Sequence, residues 1–134
     1  MPNLTIENID LGGVILEGHA DTDGTLQNDD ADDPVTLPAG TILARHATDL
    51  KYYPFDPAGS DGLNAAKAVL TYDVTIAANS GLAVRVLTKG VVNKGRLSIA
   101  DGTTITEAHL DQLRDYGIDP QAVKQLSRYD NPQT

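Results

Sequence analysis

The sequence predicts a mainly β protein, with a compact β domain, one or two short C-terminal helices and an extended N-terminal arm. Between Val35 and Val92, short segments of alternating apolar and polar residues are separated by dense turn signals. In the last third of the chain, apolar residues recur at intervals of three and four, which is typical of a helix that packs by one face. We therefore expect an acidic arm at 1–34, the β domain at 35–118, and a short helix with a tail at 119–134.

The first predicted strands flank a tight turn. Val35–Leu37 and Thr41–His46 are separated by the tripeptide Pro-Ala-Gly. Proline presets φ for the second position of a type I turn and glycine suits the fourth position, so the two strands should be closely joined. Lys51–Phe55 follows as a third strand, which is rich in aromatic residues and bounded by proline.

The two longest strand patterns cover Lys67–Val74 and Leu82–Lys89. In the first, alternate residues from Ala68 onward are apolar, so Tyr72 should share the core face with them. The second repeats the alternation, with its apolar residues directed inward. Shorter runs at 91–92 and 97–99 complete the predicted strands.

The clearest helix is predicted near residues 105–116. Thr104 and Glu107 have the spacing of a capping box, in which a threonine caps the first turn and a glutamate bonds back to the cap. Gly117 is placed to end this helix. A second short helix is expected over about 119–127, because a proline stands where the first helical residue would be.

Composition limits the class of protein. The chain has 134 residues, 40% of them hydrophobic, which is enough for one core, and with one Phe and no Trp that core should be aliphatic. There is no cysteine, so neither a disulfide framework nor a thiolate metal site is available. No apolar run approaches the ~18 residues of a membrane span, and no basic signal-peptide start is present. We expect no membrane partner and synthesis in the cytoplasm.

All of the net charge of −9 lies in the first 44 residues. They contain nine acidic side chains and no Lys or Arg, whereas ten acids balance ten bases in the remainder. Nucleic-acid binding needs Lys and Arg to displace counterions from phosphates, so no nucleic-acid partner is expected. Residues 18–33 are also nearly free of apolar side chains and are not expected to hold structure alone.

The apolar residues before this acidic stretch permit two interpretations. They are Leu4, Ile6, Ile9, Val14 and Leu16. In the first, they form the tip of an arm that adds edge-on to a strand of a partner protein. Ordering six residues costs roughly 6–12 kcal/mol, and burying on the order of 300 Å² of apolar surface returns roughly 7 kcal/mol, so the arm would settle only on its partner. In the second, the same residues form strands of the domain's own core.

The sequence contains no constellation with catalytic or metal-binding spacing. A calcium loop starting at Asp21 fails, because position 6 is not glycine and position 12 is not glutamate. Adventitious cation binding by the clustered aspartates stays open. His19, His46 and His109 are scattered, no serine lies in a G-x-S-x-G elbow, and no phosphate-binding glycine loop occurs. We predict no catalytic residue, no cofactor and no metal site, and therefore no enzyme.

Five segments occur in an order and spacing that resemble a known family. They read LPAGTIL, KYYPFDP, SDG, AAKAVLTYDV and VRVLTKGVVN, and they are followed by Tyr116-Gly117-Ile118. Over roughly Val35 to Ile118 they look like the lambda-type head decoration, or capsid cement, proteins of tailed bacteriophages. The resemblance covers neither the acidic leader nor the residues after Ile118.

The resemblance implies a β-clip-like or small-barrel domain that assembles as a homotrimer on the outer surface of the virion capsid. It also implies binding to the major capsid protein at local threefold positions, where the trimer would clamp neighbouring subunits after the shell expands. The candidate subunit-interface residues are Tyr52, Tyr53, Phe55, Val123 and Leu126. The alternative is a small β-barrel binding module or hydrolase for a polar small ligand or sugar, with the three aromatic residues as its platform.

Overall fold

A computed structural model of the chain describes residues 14–122, without the side chains of residues 16–19. The elements are β1 (Ile15–Asn28), β2 (Val35–Leu37), β3 (Ile42–Arg45), β4 (Tyr52–Pro54), β5 (Ala68–Leu70), β6 (Val74–Ile76), β7 (Ser80–Asn93), α1 (Glu107–Asp115) and β8 (Ile118–Gln121). A 3₁₀ turn, Lys94–Arg96, follows β7. The predicted mainly β class with a short helix is confirmed.

Five strands close into a small barrel. Their order around it is β1-β4-β3-β5-β7, and β7 pairs again with β1. All neighbours are antiparallel except β1 and β4, which meet in parallel at Leu26 and Tyr52. Outside the barrel, β8 adds in parallel to β7, and β2 and β6 form a separate two-stranded sheet. Closure removes the free edges of the five strands, which fits a small domain without disulfides.

The acidic leader is part of the barrel from Ile15 onward. β1 pairs with β7 along nearly its whole length, with Asp23 opposite Arg85 and Leu26 opposite Leu82. Residues 18–28, which were not expected to hold structure alone, are thus ordered by their pairing with β7. Leu26 and Asn28 face inward, the acidic side chains face solvent, and the ladder to a distant strand supplies the stability that local composition lacks.

The predicted strand Lys67–Val74 is two strands in different sheets. The chain leaves the barrel after Leu70 and resumes at Val74 in the β2–β6 sheet. The carboxylate of Asp73 fixes this corner by accepting a hydrogen bond from the Ala39 amide at 2.8 Å. Tyr72 lies in the corner and is 44% exposed, so its predicted place on the core face is wrong.

The turn before β3 is shifted by one residue from the prediction. The Thr41 amide donates to the Pro38 carbonyl at 3.2 Å, and Gly40 has φ +96°, the arrangement of a type II turn. A side chain at Gly40 would collide with the Arg96 carbonyl. The predicted strand at 97–99 does not form a ladder. It makes one isolated β-bridge, between Ser98 and Thr41.

Helix α1 begins two residues later than predicted. Its N-cap is Thr106, and the partner in the capping box is the His109 side chain, which lies three residues further on. Gly117 has φ +96° and ends the helix as expected. Residues 119–121 belong to β8, so the second helix does not start there, because β7 extends beyond its pairing with β5 and its residues 90–93 offer an edge for pairing. The rest of that prediction, 122–127, lies almost wholly outside the described residues.

The buried side chains form two clusters. One contains residues of all five barrel strands, Leu26 and Tyr52 among them, and fills the barrel and the space under the β2–β6 sheet. The other lies on the opposite face of β3, β5 and β7, under α1, where Leu110 and Leu113 join Phe55 and Ile118. Among residues 14–122, no helix is long and apolar enough to cross a bilayer.

Candidate functional site

The described chain begins and ends at the same end of the barrel. We call this end the terminal rim; it comprises residues 14–17, 91–93 and 118–121. Val92 lies opposite Ile15 on one side and opposite Pro120 on the other. Neighbouring strands are about 4.8 Å apart, so Ile15 and Pro120 are on the order of 10 Å apart. Residues 1–13 and 123–134 are therefore joined to one small surface.

The terminal rim is firmly anchored in the domain. Val14 is 7% exposed and packs in the cluster that lies under α1, and its carbonyl accepts a hydrogen bond from the Asn93 amide at 2.7 Å. The Asn93 side chain in turn accepts from the Gly95 amide at 3.0 Å and holds the 3₁₀ turn. The register of β1 shifts three times between Ile15 and Asp21, and such bulges are common at barrel rims.

The structure assigns the predicted arm residues to different places. Val14 is buried in the domain's own core, so it is not available to bind a partner. Leu16 lies in β1 by its backbone, which favours the own-core interpretation for this residue as well. Leu4, Ile6 and Ile9 lie outside the described residues. The arm interpretation can therefore apply only to residues before Val14.

Two of the three predicted interface aromatics are core residues. Tyr52 is 6% exposed beneath Gly24, where an added Cβ would contact its ring at 2.6 Å, and Phe55 is 1% exposed. Burial removes both from an intersubunit surface, and it also removes the platform that a sugar-binding module would need. Tyr53 remains half-buried and accessible. The other two, Val123 and Leu126, lie outside the described residues.

Tyr53 belongs to a polar cluster at the end of the barrel opposite the terminal rim. Its hydroxyl donates to the Asp49 carboxylate at 2.9 Å. Burial, together with this hydrogen bond and the nearby carboxylate of Asp29, raises the pKa of Tyr53 to about 12. The pKa of Asp49 is lowered, chiefly by the hydrogen bond it accepts from the Lys51 amide. The phenol therefore stays neutral and acts as a donor at physiological pH.

An acidic loop, residues 29–33, closes the same end of the barrel. Its anchor is Asn28, which is 6% exposed: the side-chain amide donates to the carbonyls of Asp33, Ile76 and Ala77, and its oxygen accepts from the Asp30 amide. The Asp30 carboxylate accepts from the amides of two following residues, and these bonds lower its pKa. The aspartates thus organise the loop's own backbone. Nowhere in residues 14–122 do three or more His, Cys, Asp or Glu side chains gather to hold a metal ion.

Both histidines with described side chains serve the backbone. His46 Nδ1 accepts from the Thr48 and Asp49 amides at 3.1 and 3.3 Å. His109 Nδ1 accepts from the Thr106 amide at 3.1 Å, and its ring contacts Phe55 edge to face. In each ring Nδ1 carries the lone pair of the neutral imidazole, and backbone amides already occupy it. A general base would need that lone pair to accept a proton. These roles suit a scaffold better than a reaction centre.

Within residues 14–122, the surface includes two recesses and three exposed large apolar side chains. One recess, of about 340 Å³, is lined by Pro54, Phe55, Asp56, Ala100 and Asp101, and the other, of about 300 Å³, by Asp23, Gly24, Tyr72, Ala83, Val84 and Arg85. The exposed apolar side chains are Leu50, Tyr72 and Tyr116. Sequence reasoning overlooked Leu50, because no local pattern distinguishes an exposed leucine from a buried one. The only sequence signal for its exposure was its position in a turn-rich segment between two short strands.

Comparison with known proteins decides the class of this domain. A model of the family described as bacteriophage lambda head decoration protein D matches residues 16–118, more than half of the chain. The chain belongs to the lambda head decoration protein D family. No curated protein matches it.

Membership confirms the resemblance predicted from the sequence. A head decoration protein has a structural role in the phage capsid, and the family is not known for enzymatic activity. The match starts at Leu16 and ends at Ile118, so it includes nearly all of β1 and the first residue of β8. The acidic strand is therefore part of the domain that this decoration protein shares with its family.

Proposed function

We propose that this decoration protein binds the outer surface of an expanded phage capsid at local threefold positions and stabilises the shell by bridging major capsid protein subunits. The observation that carries the proposal is the family match, taken together with the placement of both terminal segments on one rim. Because both terminal segments leave the domain at the terminal rim, the domain can bind the shell by that rim.

The contact with the shell is assigned to the terminal rim and to the residues that precede it. Leu4 and Ile6 alternate with polar residues, a pattern suited to an added β-strand, and Ile9 adds a third apolar side chain to the segment. The entropy cost of ordering such a segment roughly matches its apolar gain, so the hydrogen bonds of a capsid-protein strand edge would decide whether it binds. The arm would then recognise assembled shell and not loose subunits.

Stabilisation of the shell would follow from linkage. A protein that binds across subunit boundaries has affinity for the assembled state and little for its fragments, so binding lowers the free energy of the assembly. Each contact can be modest, because many copies act on one shell. A homotrimer matches a threefold position by symmetry, and each copy would then bridge equivalent capsid subunits.

The test uses expanded, undecorated shells of the cognate phage. Adding purified protein should raise the temperature at which the shells release their contents. A variant with Leu4, Ile6 and Ile9 all replaced by serine should bind the shells at least tenfold more weakly. The matched control replaces Asn3, Thr5 and Asn8 by serine, which leaves the apolar side chains in place and should preserve binding.

Two results would contradict the proposal. Shells that gain no heat resistance at saturating protein would exclude a stabilising role. Equal loss of binding in the apolar and control variants would exclude Leu4, Ile6 and Ile9 as the contact, and loss of folding in either variant is checked by circular dichroism.

A further inference from the structure

Leu50 is exposed in a backbone conformation that disfavours leucine. It has φ +62° and its side chain is 54% exposed. The other described non-glycine residues with positive φ are Asp61 and Asn79, residue types that adopt this conformation readily. At position 50 glycine or asparagine would suit the backbone better and expose no apolar surface. The leucine therefore calls for a reason outside the isolated domain.

The loop that carries Leu50 is held by its own hydrogen bonds. The Leu50 amide donates to the His46 carbonyl at 3.0 Å, and its carbonyl accepts from Arg45 Nε at 3.1 Å. The His46 amide donates to the Lys51 carbonyl at 2.8 Å. Asp49 adds bonds to the Lys51 amide and the Tyr53 hydroxyl. Leu50 is thus presented on a preorganised turn, which lowers the entropy cost of contact with a partner.

The recess of about 300 Å³ has the size and lining to receive such a side chain. A cavity of about 150 Å³ lined by apolar groups accommodates benzene, so there is room here for one leucine. Its apolar surface comes from Tyr72, Ala83 and Val84. The Tyr72 hydroxyl accepts a hydrogen bond from the Arg85 amide at 3.1 Å, which fixes the ring at the border of the recess.

Charges beside the leucine and beside the recess are complementary. Leu50 lies between Asp49 and the exposed side chain of Arg45. The recess is bordered by Arg85 and Asp23, an exposed pair at 3.3 Å. If the leucine of one copy entered the recess of another, Asp49 could meet Arg85 and Arg45 could meet Asp23.

The two features lie on different surfaces of the barrel. Leu50 belongs to the connection between β3 and β4, whereas the recess is formed on β1, β7 and the corner after β5. In the closed strand order β1-β4-β3-β5-β7, neither β3 nor β4 is a neighbour of β7. Two different, complementary surfaces on one chain generate a head-to-tail contact, which closes into a ring when the rotation permits.

We propose that Leu50 of one copy inserts into the recess formed by Tyr72, Ala83 and Val84 of the next copy, and that this contact closes the trimer. The inference rests on the proposed function, because it names the surface by which copies meet at a threefold position. The partner is a second copy of this chain, and the recognised group is a single aliphatic side chain flanked by opposite charges.

Cysteine cross-linking on shells tests the contact, since the chain has no native cysteine. The variant Leu50→Cys with Ala83→Cys is bound to expanded shells and treated with a short homobifunctional maleimide. We expect covalent trimers on denaturing gels. The matched control pairs Leu50→Cys with Ala108→Cys, an exposed alanine on α1, and should stay monomeric.

The outcomes separate the two proposals. Shell-bound protein that cross-links no better in the 50/83 variant than in the 50/108 variant would overturn the Leu50 contact and leave capsid decoration intact. Parent protein that fails to bind shells would contradict the proposed function and the contact with it. The cysteine variants are used at saturating concentration, because Leu50→Cys removes the leucine and should itself weaken binding.

A glycine substitution separates the contact from folding. Leu50→Gly relieves the disfavoured backbone conformation, so the melting temperature of the free protein should stay equal or rise by a few degrees. Its affinity for shells should nevertheless fall at least tenfold. Asn79→Gly makes the same backbone change outside the recess and should leave shell affinity unchanged. Full shell affinity of Leu50→Gly would overturn the inference.

Discussion

Asn28 shows how much one buried polar residue determines at the acidic end of the barrel. It joins the end of β1 to the acidic loop and to the chain after β6 through four hydrogen bonds. Removal of one side chain leaves three carbonyls and an amide to find other partners. Unsatisfied buried groups cost about 1–3 kcal/mol.

Asn28→Ala should therefore lower the free energy of unfolding by about 1–3 kcal/mol. The urea midpoint should fall while the slope of the transition stays unchanged. Gln27→Ala is the matched control, since the neighbouring Gln27 makes only long hydrogen bonds of 3.4 Å. A loss below about 0.5 kcal/mol for Asn28→Ala, the level of ordinary surface substitutions, would contradict this role.

Tyr53 gives a prediction in the alkaline range. Burial and the bond to Asp49 raise the pKa of Tyr53 to about 12, above the ordinary value of about 10. The fold thus favours the neutral phenol, and this contribution to stability is present below pH 10 and is lost as the pH rises through about 12. In an absorbance titration, Tyr53→Phe should remove a phenol that ionises near pH 12. If the phenol it removes ionises near pH 10, the described environment of Tyr53 is incorrect.

At the scale of elements, β1 shows what the sequence could and could not predict. β3, β4 and the first half of β7 follow from alternation and turn chemistry, since their signals are local. β1 could not be predicted, because its partner strand is far away in the sequence: only in the folded barrel does Arg85 of β7 lie across from Asp23. The strand β8 was missed for the same reason: its partner is 28 residues away, with Gly90 facing Ile118.

The candidate site was predictable only in part. Family resemblance from the order of five weak motifs was sufficient to indicate capsid decoration, and the match confirms it. The burial of Tyr52 and Phe55 was not predictable, because aromatic residues in a short strand can face either way. The exposure of Leu50 was not predictable either, because it depends on the conformation of the loop between β3 and β4.

Hydrogen exchange of the free protein tests the placement of β1. If the acidic strand is part of the barrel, the amides of residues 22–28 should exchange as slowly as those of β7, because opening them requires the barrel to open. The connection at 56–65 is the internal control and should exchange faster. Rapid exchange throughout 22–28 would return the acidic segment to the role of a tether.

At the scale of the whole molecule, the barrel has two unlike ends. β1 begins at the terminal rim and ends at the acidic loop, so the two lie at opposite ends of one long strand. If the terminal rim faces the shell, the acidic loop faces solvent. Asp29→Asn with Asp32→Asn should then leave shell affinity unchanged within about twofold, because exposed charges far from a contact contribute little at physiological salt. A tenfold loss, measured by sedimentation with shells, would place the acidic loop in the contact.

Direct imaging of shells with and without the protein is the most direct test of the central claim. The account predicts added density at local threefold positions on the outer surface of expanded shells, with the terminal rim against the capsid and the acidic loop outward. Density at other positions, density with the acidic loop against the shell, or no added density at saturating protein would contradict it.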